Sequence, residues 1–370
     1  MIHVSSLFSG RYFPKMFSSY LPPEIILKIL SLLPGKTLPK LRLVSKQFNS
    51  LISEPYLLRL HHRFALNSFS ILTAFTALRS SLTVELKLFL FTKPNHDQTQ
   101  KTITKRFLGD RVRVFSSNHQ LLCFVSDKEH FLFDPINQKT RELPKSSSFS
   151  SSPNVISFGF VSSTLQYKII RFFLPYYPIC KFEILTVNIT GRNYKHYLEI
   201  SPWKSQEQQC PYLLQPYPPV QADGFVYWTT KDVPKIVSFS LEREKFYVLP
   251  PPPCFEDNPN HDFSLCGIRG KLFVINYNSL EPNMEIWMMN GSNGCGWVKT
   301  HRIRLKGTLI RYYPSFPIRI HEIQSDFVLF QVLFPSRIKI YYKNKNEVVD
   351  FGESIEELQF CHYTDGLLSL

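Results

Sequence analysis

From Leu21 to Leu33 the apolar residues follow the period of a helix. Ile25, Ile26, Ile29, Leu30, Leu32 and Leu33 come after Leu21-Pro22-Pro23-Glu24, a spacing that predicts an amphipathic helix. Proline is tolerated in its first turn, where the missing N–H would have no partner. Glu24 suits the positive end of the helix dipole, and Pro34-Gly35 ends the element. Leu38, Leu41 and Leu43 predict a second short helix. Ser45 then stands as an N-cap before a third, with Phe48, Leu51 and Ile52 on one face. Ser53-Glu54-Pro55 opens another, carrying Leu57, Leu58 and Leu60. So short a module has little core of its own. It nevertheless holds more Leu and Ile than one inner face needs, and such surplus apolar surface marks a partner site.

From Lys101 onward the pattern becomes short apolar or alternating runs split by turn residues: Gln120–Val125, His130–Phe133, Tyr167–Phe172, Phe182–Val187, Gly224–Trp228, Ile236–Ser240, Gly270–Ile275 and Phe327–Val332. Runs rich in β-branched and aromatic residues predict strands, with one short helix expected near 354–359. A loose repeat is visible. Leu121–Phe124, Phe131–Pro135 and Thr140–Pro144 form one three-strand unit. Gly224–Trp228, Ile236–Ser240 and Phe246–Pro250 form a second. Gly270–Ile275, Glu285–Met289 and Trp297–Thr300 form a third, and Phe327–Val332, Ile338–Tyr342 and Val348–Asp350 a weaker fourth. Repeated units of this kind favour a propeller over a barrel or sandwich.

The expected fold class is therefore an α+β multidomain chain: a small N-terminal all-α module of three to four short helices, followed by a large all-β, propeller-like domain. The expected divisions are a disordered N-terminus (1–15), the helical module (16–63), a connecting segment (64–100) and the β domain (101–370). In the connecting segment Leu66, Phe69, Leu72, Phe75 and Leu78 predict partial helix or irregular packing against the β domain. The Ser146–Ser152 tract and Pro250–Pro253 are expected loops.

At 44% hydrophobic and 15% aromatic residues, the chain can build a sizeable core. Its formal net charge of +14 is dispersed, and no basic run reaches five residues. A solvated surface with steering value is the plain reading, and nucleic acid is not an expected partner. The seven cysteines lack any CxxC pair, which fits reduced structural thiols and an expected cytoplasmic or nuclear location. No uninterrupted apolar window is long enough to span a membrane.

The string Leu21–Phe64 resembles an F-box. Leu21-Pro22, Glu24, Ile25, Ile29, Leu30, Leu33-Pro34, Leu41-Arg42, Val44-Ser45-Lys46, Phe48 and Leu51-Ile52 fall in the family's register, with Pro55 and His61 in its frequent tail. Gly35, Pro39 and Phe48 depart from the common pattern. The resemblance implies docking on the Skp-type linker subunit of a cullin–RING ubiquitin ligase, with Leu21, Pro22, Ile25, Ile29, Leu33, Pro34, Val44 and Leu51 forming or supporting the contact. Phe133-Asp134-Pro135-Ile136-Asn137 with Leu143-Pro144, Phe158-Gly159-Phe160 with Tyr167-Lys168-Ile169, and the Gly224–Trp228 hairpin resemble the F-box-associated interaction domains of plants, which are similar to kelch propellers. Together these imply a substrate-recognition adaptor of a Skp–cullin–F-box ubiquitin ligase, with no catalysis, cofactor or metal of its own. Target-binding loops are expected within Leu174–Pro178, Trp203–Tyr217 and Arg311–Arg319.

Two other functions compete. A propeller enzyme needs convergent acidic or metal-binding residues. Pro34-Gly35-Lys36-Thr37 lacks the earlier glycine of a phosphate loop, and Asn260-His261-Asp262 beside Cys254 and Cys266 has no predicted support. His61-His62 are adjacent on a helix and make no metal pair; they are read as surface or tail residues. Asp223 and Asp365 precede glycines and are read as turn residues. A basic propeller binding nucleic acid or carbohydrate, with no ligase role, is the alternative.

Overall fold

The computed structural model describes residues 21–363 apart from residue 34 and the stretches 69–70, 81–82, 92–103, 109–112, 117–120, 126–129, 135–137, 146–154, 174–177, 193–194, 216–218, 232–234, 256–261, 279–282, 291–295, 306–317, 334–335 and 354–358. The expected disordered segment 1–15, the Ser146–Ser152 tract and all but residue 359 of the short helix expected at 354–359 lie outside the described residues. No helix among them is long and apolar enough to cross a membrane.

Four helices open the fold: α1 (Pro23–Ser31), α2 (Leu38–Leu41), α3 (Lys46–Ile52) and α4 (Pro55–Ser68). Each starts where the sequence signals it. Pro23 sits in the first turn of α1, Pro39 in that of α2 and Pro55 at the head of α4. The Ser45 hydroxyl accepts the Phe48 N–H at 3.1 Å, the expected N-cap of α3. Ile26, Leu27 and Leu30 of α1 close with Leu38, Leu51, Ile52, Leu57 and Leu58 into a buried centre. His61 and His62 are buried rather than on the surface, a correction to the sequence reading. His61 Nε2 lies 2.9 Å from the Leu33 carbonyl oxygen and ties α4 to the end of α1. His62 meets Phe160 edge to face, with ring centroids 4.8 Å apart.

The rest is a β-propeller of six sheets among the described residues. The segment expected as partial helix or irregular packing instead forms β1 (Ile71–Ser80) and β2 (Thr83–Phe91), joined by β3 (Thr104–Leu108). Four consecutive strands make the next sheet: β4 (Arg113–Ser116), β5 (Leu122–Val125), β6 (His130–Asp134) and β7 (Lys139–Glu142). The following sheet has five: β8 (Val155–Val161), β9 (Gln166–Phe173), the long β10 (Ile179–Arg192), and β11 (Lys195–Ile200) and β12 (Lys204–Gln209), which share the outer edge of β10. Then come β13 (Val220–Ala222), β14 (Phe225–Thr229), β15 (Ile236–Ser240) and β16 (Lys245–Leu249). After them stand β17 (Asp262–Ile268), β18 (Lys271–Asn278), β19 (Asn283–Asn290) and β20 (Gly296–Arg304). The last consecutive set is β21 (Ile318–Ile323), β22 (Phe327–Leu333), β23 (Ser336–Tyr342) and β24 (Glu347–Glu353). The final strand, β25 (Gln359–Tyr363), pairs antiparallel with β1, Thr73 opposite Cys361, so one sheet is built from both ends of the chain in the order β25-β1-β2-β3.

The four repeat units of the sequence are the second, third and fourth strands of four of these sheets; the first strand of each escaped. Those first strands stand side by side, β25 against β4, β4 against β8, β8 against β13, β13 against β17 and β17 against β21. They approach closely at Gln221 of β13. A methyl group on Gly267 of β17 would meet the Gln221 carbonyl oxygen, and one on Gly159 of β8 would meet the Leu241 side chain. The turns from first to second strand at Asp223-Gly224 and Arg269-Gly270 place both residues at positive φ, 46° and 75° in the former and 52° and 73° in the latter. Asp223 is thus the turn residue expected of it.

Neighbouring sheets are also pinned by side chains. Trp203 donates its indole N–H to the Pro144 carbonyl at 2.8 Å, and Trp297 donates to that of Pro250 at 2.9 Å. Both acceptors are the Leu-Pro exits of the preceding sheet. Lys168 pairs with Glu244 at 2.6 Å, and Gln206 donates to the same carboxylate at 2.7 Å. Burial would raise the Glu244 pKa, but hydrogen bonds from Lys168 and Gln206 outweigh it and hold the carboxyl below its ordinary value. A depressed carboxylate stabilises the fold above its unfolded pKa and loses that contribution as pH falls through the folded value. Glu244→Gln is therefore expected to lower the thermal midpoint at pH 7 and to flatten its fall between pH 5 and 3, checked by calorimetry across that range.

Candidate functional site

The first helix is apolar on two sides. Ile26, Leu27 and Leu30 face inward and are buried, whereas Ile25, Ile29 and Leu32 are 43%, 47% and 53% exposed. Helical spacing puts these three on one stripe. Leu21, 46% exposed, extends it before α1. Leu43 and Val44, in the turn between α2 and α3, are 89% and 66% exposed. A helix apolar all round is ordinarily buried on all sides. Here the module's own core covers one side, and no described part of the chain covers the other.

Of the residues expected to form or support the contact, Leu21, Pro22, Ile25, Ile29 and Val44 are exposed, Leu33 is half-buried and Leu51 is buried beneath the surface in the module's centre. Pro34 lies outside the described residues. Sequence reasoning missed Leu32 and Leu43. For Leu32 the signal was available, because it shares the stripe of Ile25 and Ile29; Leu43 was assigned to the second helix, which ends at Leu41. Lys28, Lys40 and Lys46 are exposed on the same elements. The surface thus offers apolar side chains among positive charges, and fits an apolar partner surface with an acidic rim.

The module is not tethered loosely. Its buried leucines belong to one continuous apolar cluster with Leu121, Cys123, Leu132, Phe158, Phe160, Tyr167 and Leu185 of the propeller. Only residues 69 and 70 separate α4 from β1. Of the expected target loops, the described parts are Pro178, residues 203–215, which include β12 and the buried Leu214, and the start of β21; most of the other two lies outside the described residues.

Chemistry at the buried thiols is disfavoured. Cys123, Cys180, Cys210, Cys254 and Cys266 are free and buried, and burial pushes the Cys180 thiol up to about 12. Such thiols stay protonated and unreactive.

Comparison with known proteins agrees with the geometry. Residues 18–60 match the F-box domain family and residues 70–370 match the F-box associated beta propeller domain. The chain is 25% identical over 291 residues to the putative F-box only protein 9 of Arabidopsis thaliana, covering 74% of this chain and 72% of that one. It is 23% identical over 309 residues to the F-box/LRR-repeat/kelch-repeat protein At1g09650 of the same plant, 80% of each chain. Among solved structures it is similar to a chain of a nidogen/laminin complex (TM-score 0.40, 9% identity, 80% of this chain and 100% of that one) and to an oligogalacturonate lyase with manganese (TM-score 0.39, 8% identity, 75% and 77%); likenesses this distant carry no argument. With a matched module at its head and a matched propeller over most of its length, the chain belongs to the F-box proteins that carry an F-box associated β-propeller domain.

Proposed function

We propose that this protein is a substrate-recognition adaptor of a Skp–cullin–F-box ubiquitin ligase. The exposed stripe of α1 with Leu43 and Val44 docks on the Skp-type linker, and the propeller holds a target protein. The observation that carries this is the second apolar side of α1, which its own chain leaves uncovered. Burying each exposed Ile contributes about 1 kcal/mol or more. The work is two binding events at a fixed separation. A target held beside the ligase meets it as an intramolecular partner, and a stiff joint keeps the effective concentration high. The covalent chemistry belongs to other subunits, as in F-box proteins generally, and the expected place of work is the cytoplasm or nucleus.

The test is a calorimetric titration of the full chain with purified Skp-type linker. Ile25→Asp combined with Ile29→Asp is expected to weaken binding at least about 100-fold while leaving the thermal midpoint of the free chain within a few degrees, because both side chains are largely outside the core. Unchanged affinity in the double variant, or a wild-type chain that ignores the linker, would overturn the proposal. A salt-steep affinity for nucleic acid instead would favour the basic-propeller alternative.

A further inference from the structure

Two adjacent histidines of α4 serve different parts of the molecule. His61, 2.9 Å from the Leu33 carbonyl oxygen, ties α4 to the end of α1. His62 instead meets the ring of Phe160, near the end of β8, at 75° with centroids 4.8 Å apart. Phe160 leans on Tyr167 of β9 at 4.8 Å, and Tyr167 stacks on Phe158 at 5.5 Å. Tyr167 and Phe158 are fully buried in the five-stranded sheet. A run of directional contacts therefore leads from the docking helix, through one turn of α4, into the propeller core.

The leucines of α4 join module and propeller in another way. Leu57 and Leu58 belong to the apolar cluster that also holds Leu121, Phe158 and Leu185. Apolar burial is non-directional. It resists separation of the two units but leaves a small rotation between them cheap. Beside His62 there is room for such a rotation, because a cavity of about 230 Å³ lies between His62 and the turns that carry Ser163, Asp223 and Gly270. Tilting α4 into that space displaces no packed atoms. The ring pair opposes the tilt, since aromatic pairs favour particular angles and separations. Desolvation, and then its neighbour His61, lower the His62 pKa to about 4, so the ring is neutral at pH 7 and packs as an aromatic group.

We propose that His62 is a positioning residue: its edge-to-face contact with Phe160 sets the angle between the exposed stripe of α1 and the propeller, and with it the lysines that come within reach of the ligase. Buried between the two units, His62 touches neither linker nor target and acts through the joint alone. Geometry of this kind governs transfer, because a reacting group held slightly out of place reacts far more slowly. The angle itself does not depend on the adaptor reading; its consequence for ubiquitin transfer rests on that reading.

The test compares the full-length wild type with His62→Ala, His62→Phe and Phe160→Leu. The last removes the ring from the propeller side while keeping apolar volume, and it decides the matter if a His62 variant does not fold by near-ultraviolet circular dichroism. Fluorophores at Lys40 and Lys139, both exposed, report the distance between module and propeller by single-molecule energy transfer on the free chain. The wild type is expected to give one narrow distribution. His62→Ala and Phe160→Leu are expected to broaden it at least about twofold, and His62→Phe, which keeps a ring, to restore it. Linker affinity is expected to be the same in all four. In a reconstituted ligase without added target, ubiquitin is expected on a few of the chain's own lysines in the wild type and on a wider set in the two loosened variants, mapped by mass spectrometry. A distribution as narrow in His62→Ala and Phe160→Leu as in the wild type overturns the proposal, as does a folded His62→Phe chain as broad as His62→Ala. A broadened joint with an unchanged lysine pattern overturns the link from angle to reach. A wild-type chain that ignores the linker overturns the adaptor reading alone, because the energy-transfer result stands without it.

Discussion

A chain that starts at Lys101 is expected not to fold, whereas one that starts at residue 70 is expected to unfold in a single cooperative transition. The difference is the hairpin of β1 and β2. Among the described residues β25 pairs in its sheet with β1 alone, and β3 with β2 alone. Removing residues 70–100 leaves two unpaired strands and an opening between the first and last consecutive sheets. Open strand edges are templates for association, and the strands facing the opening lose packing on one side. The Lys101 chain should therefore be recovered as aggregate, or as monomer that binds a hydrophobic dye and lacks near-ultraviolet circular dichroism. Recovery of a soluble 101–370 chain with the same thermal midpoint as 70–370 would show that the composite sheet is dispensable.

Gly267→Ala is the single substitution expected to cost most. Glycine in a strand interior is ordinarily unfavourable, and alanine there would stabilise an isolated strand. At position 267 the added methyl meets the backbone carbonyl of Gln221 in the neighbouring first strand. A backbone that is itself hydrogen-bonded to β14 cannot swing away, so the two sheets must separate. We expect a loss of roughly 3 kcal/mol, the upper range for overpacking, read as a clear drop in the thermal midpoint. Gly159→Ala is the internal control. Its methyl meets side-chain atoms of Leu241 and Gln221, which can adopt other rotamers, so about 1 kcal/mol is expected. A Gly267→Ala protein as stable as the wild type would mean that neighbouring sheets slide freely past one another.

Much of this architecture was legible because it is local. The helix period of Ile25–Leu33, the Ser45 cap and the prolines heading α1, α2 and α4 all act within a turn or two of chain. The surplus of apolar residues in the module was also readable, and the exposed stripe of α1 is that surplus in space. Two of the first strands were too short to read: Val220–Ala222 is three residues long and Arg113–Ser116 four, too few for alternation to rise above background. The closing sheet failed for two reasons. Leu66, Phe69, Leu72, Phe75 and Leu78 imitate a helical stripe, and Ile71–Ser80 runs as apolar pairs split by single polar residues rather than alternating; and its partner β25 lies nearly 300 residues away, beyond any local pattern. The burial of His61 and His62 had a signal that went unused, since each lies four residues after a buried leucine, Leu57 and Leu58.

The indole bonds at the sheet exits have a consequence for how such chains diversify. Trp203 holds Pro144 and Trp297 holds Pro250 before the chain sets off toward the next sheet. The anchor point of each crossing is thereby set upstream of the crossing itself. Insertions or deletions between Pro144 and Val155, or between Pro250 and Asp262, can then alter what the rim displays without changing the angle at which consecutive sheets meet, which lets recognition drift on an unchanged frame.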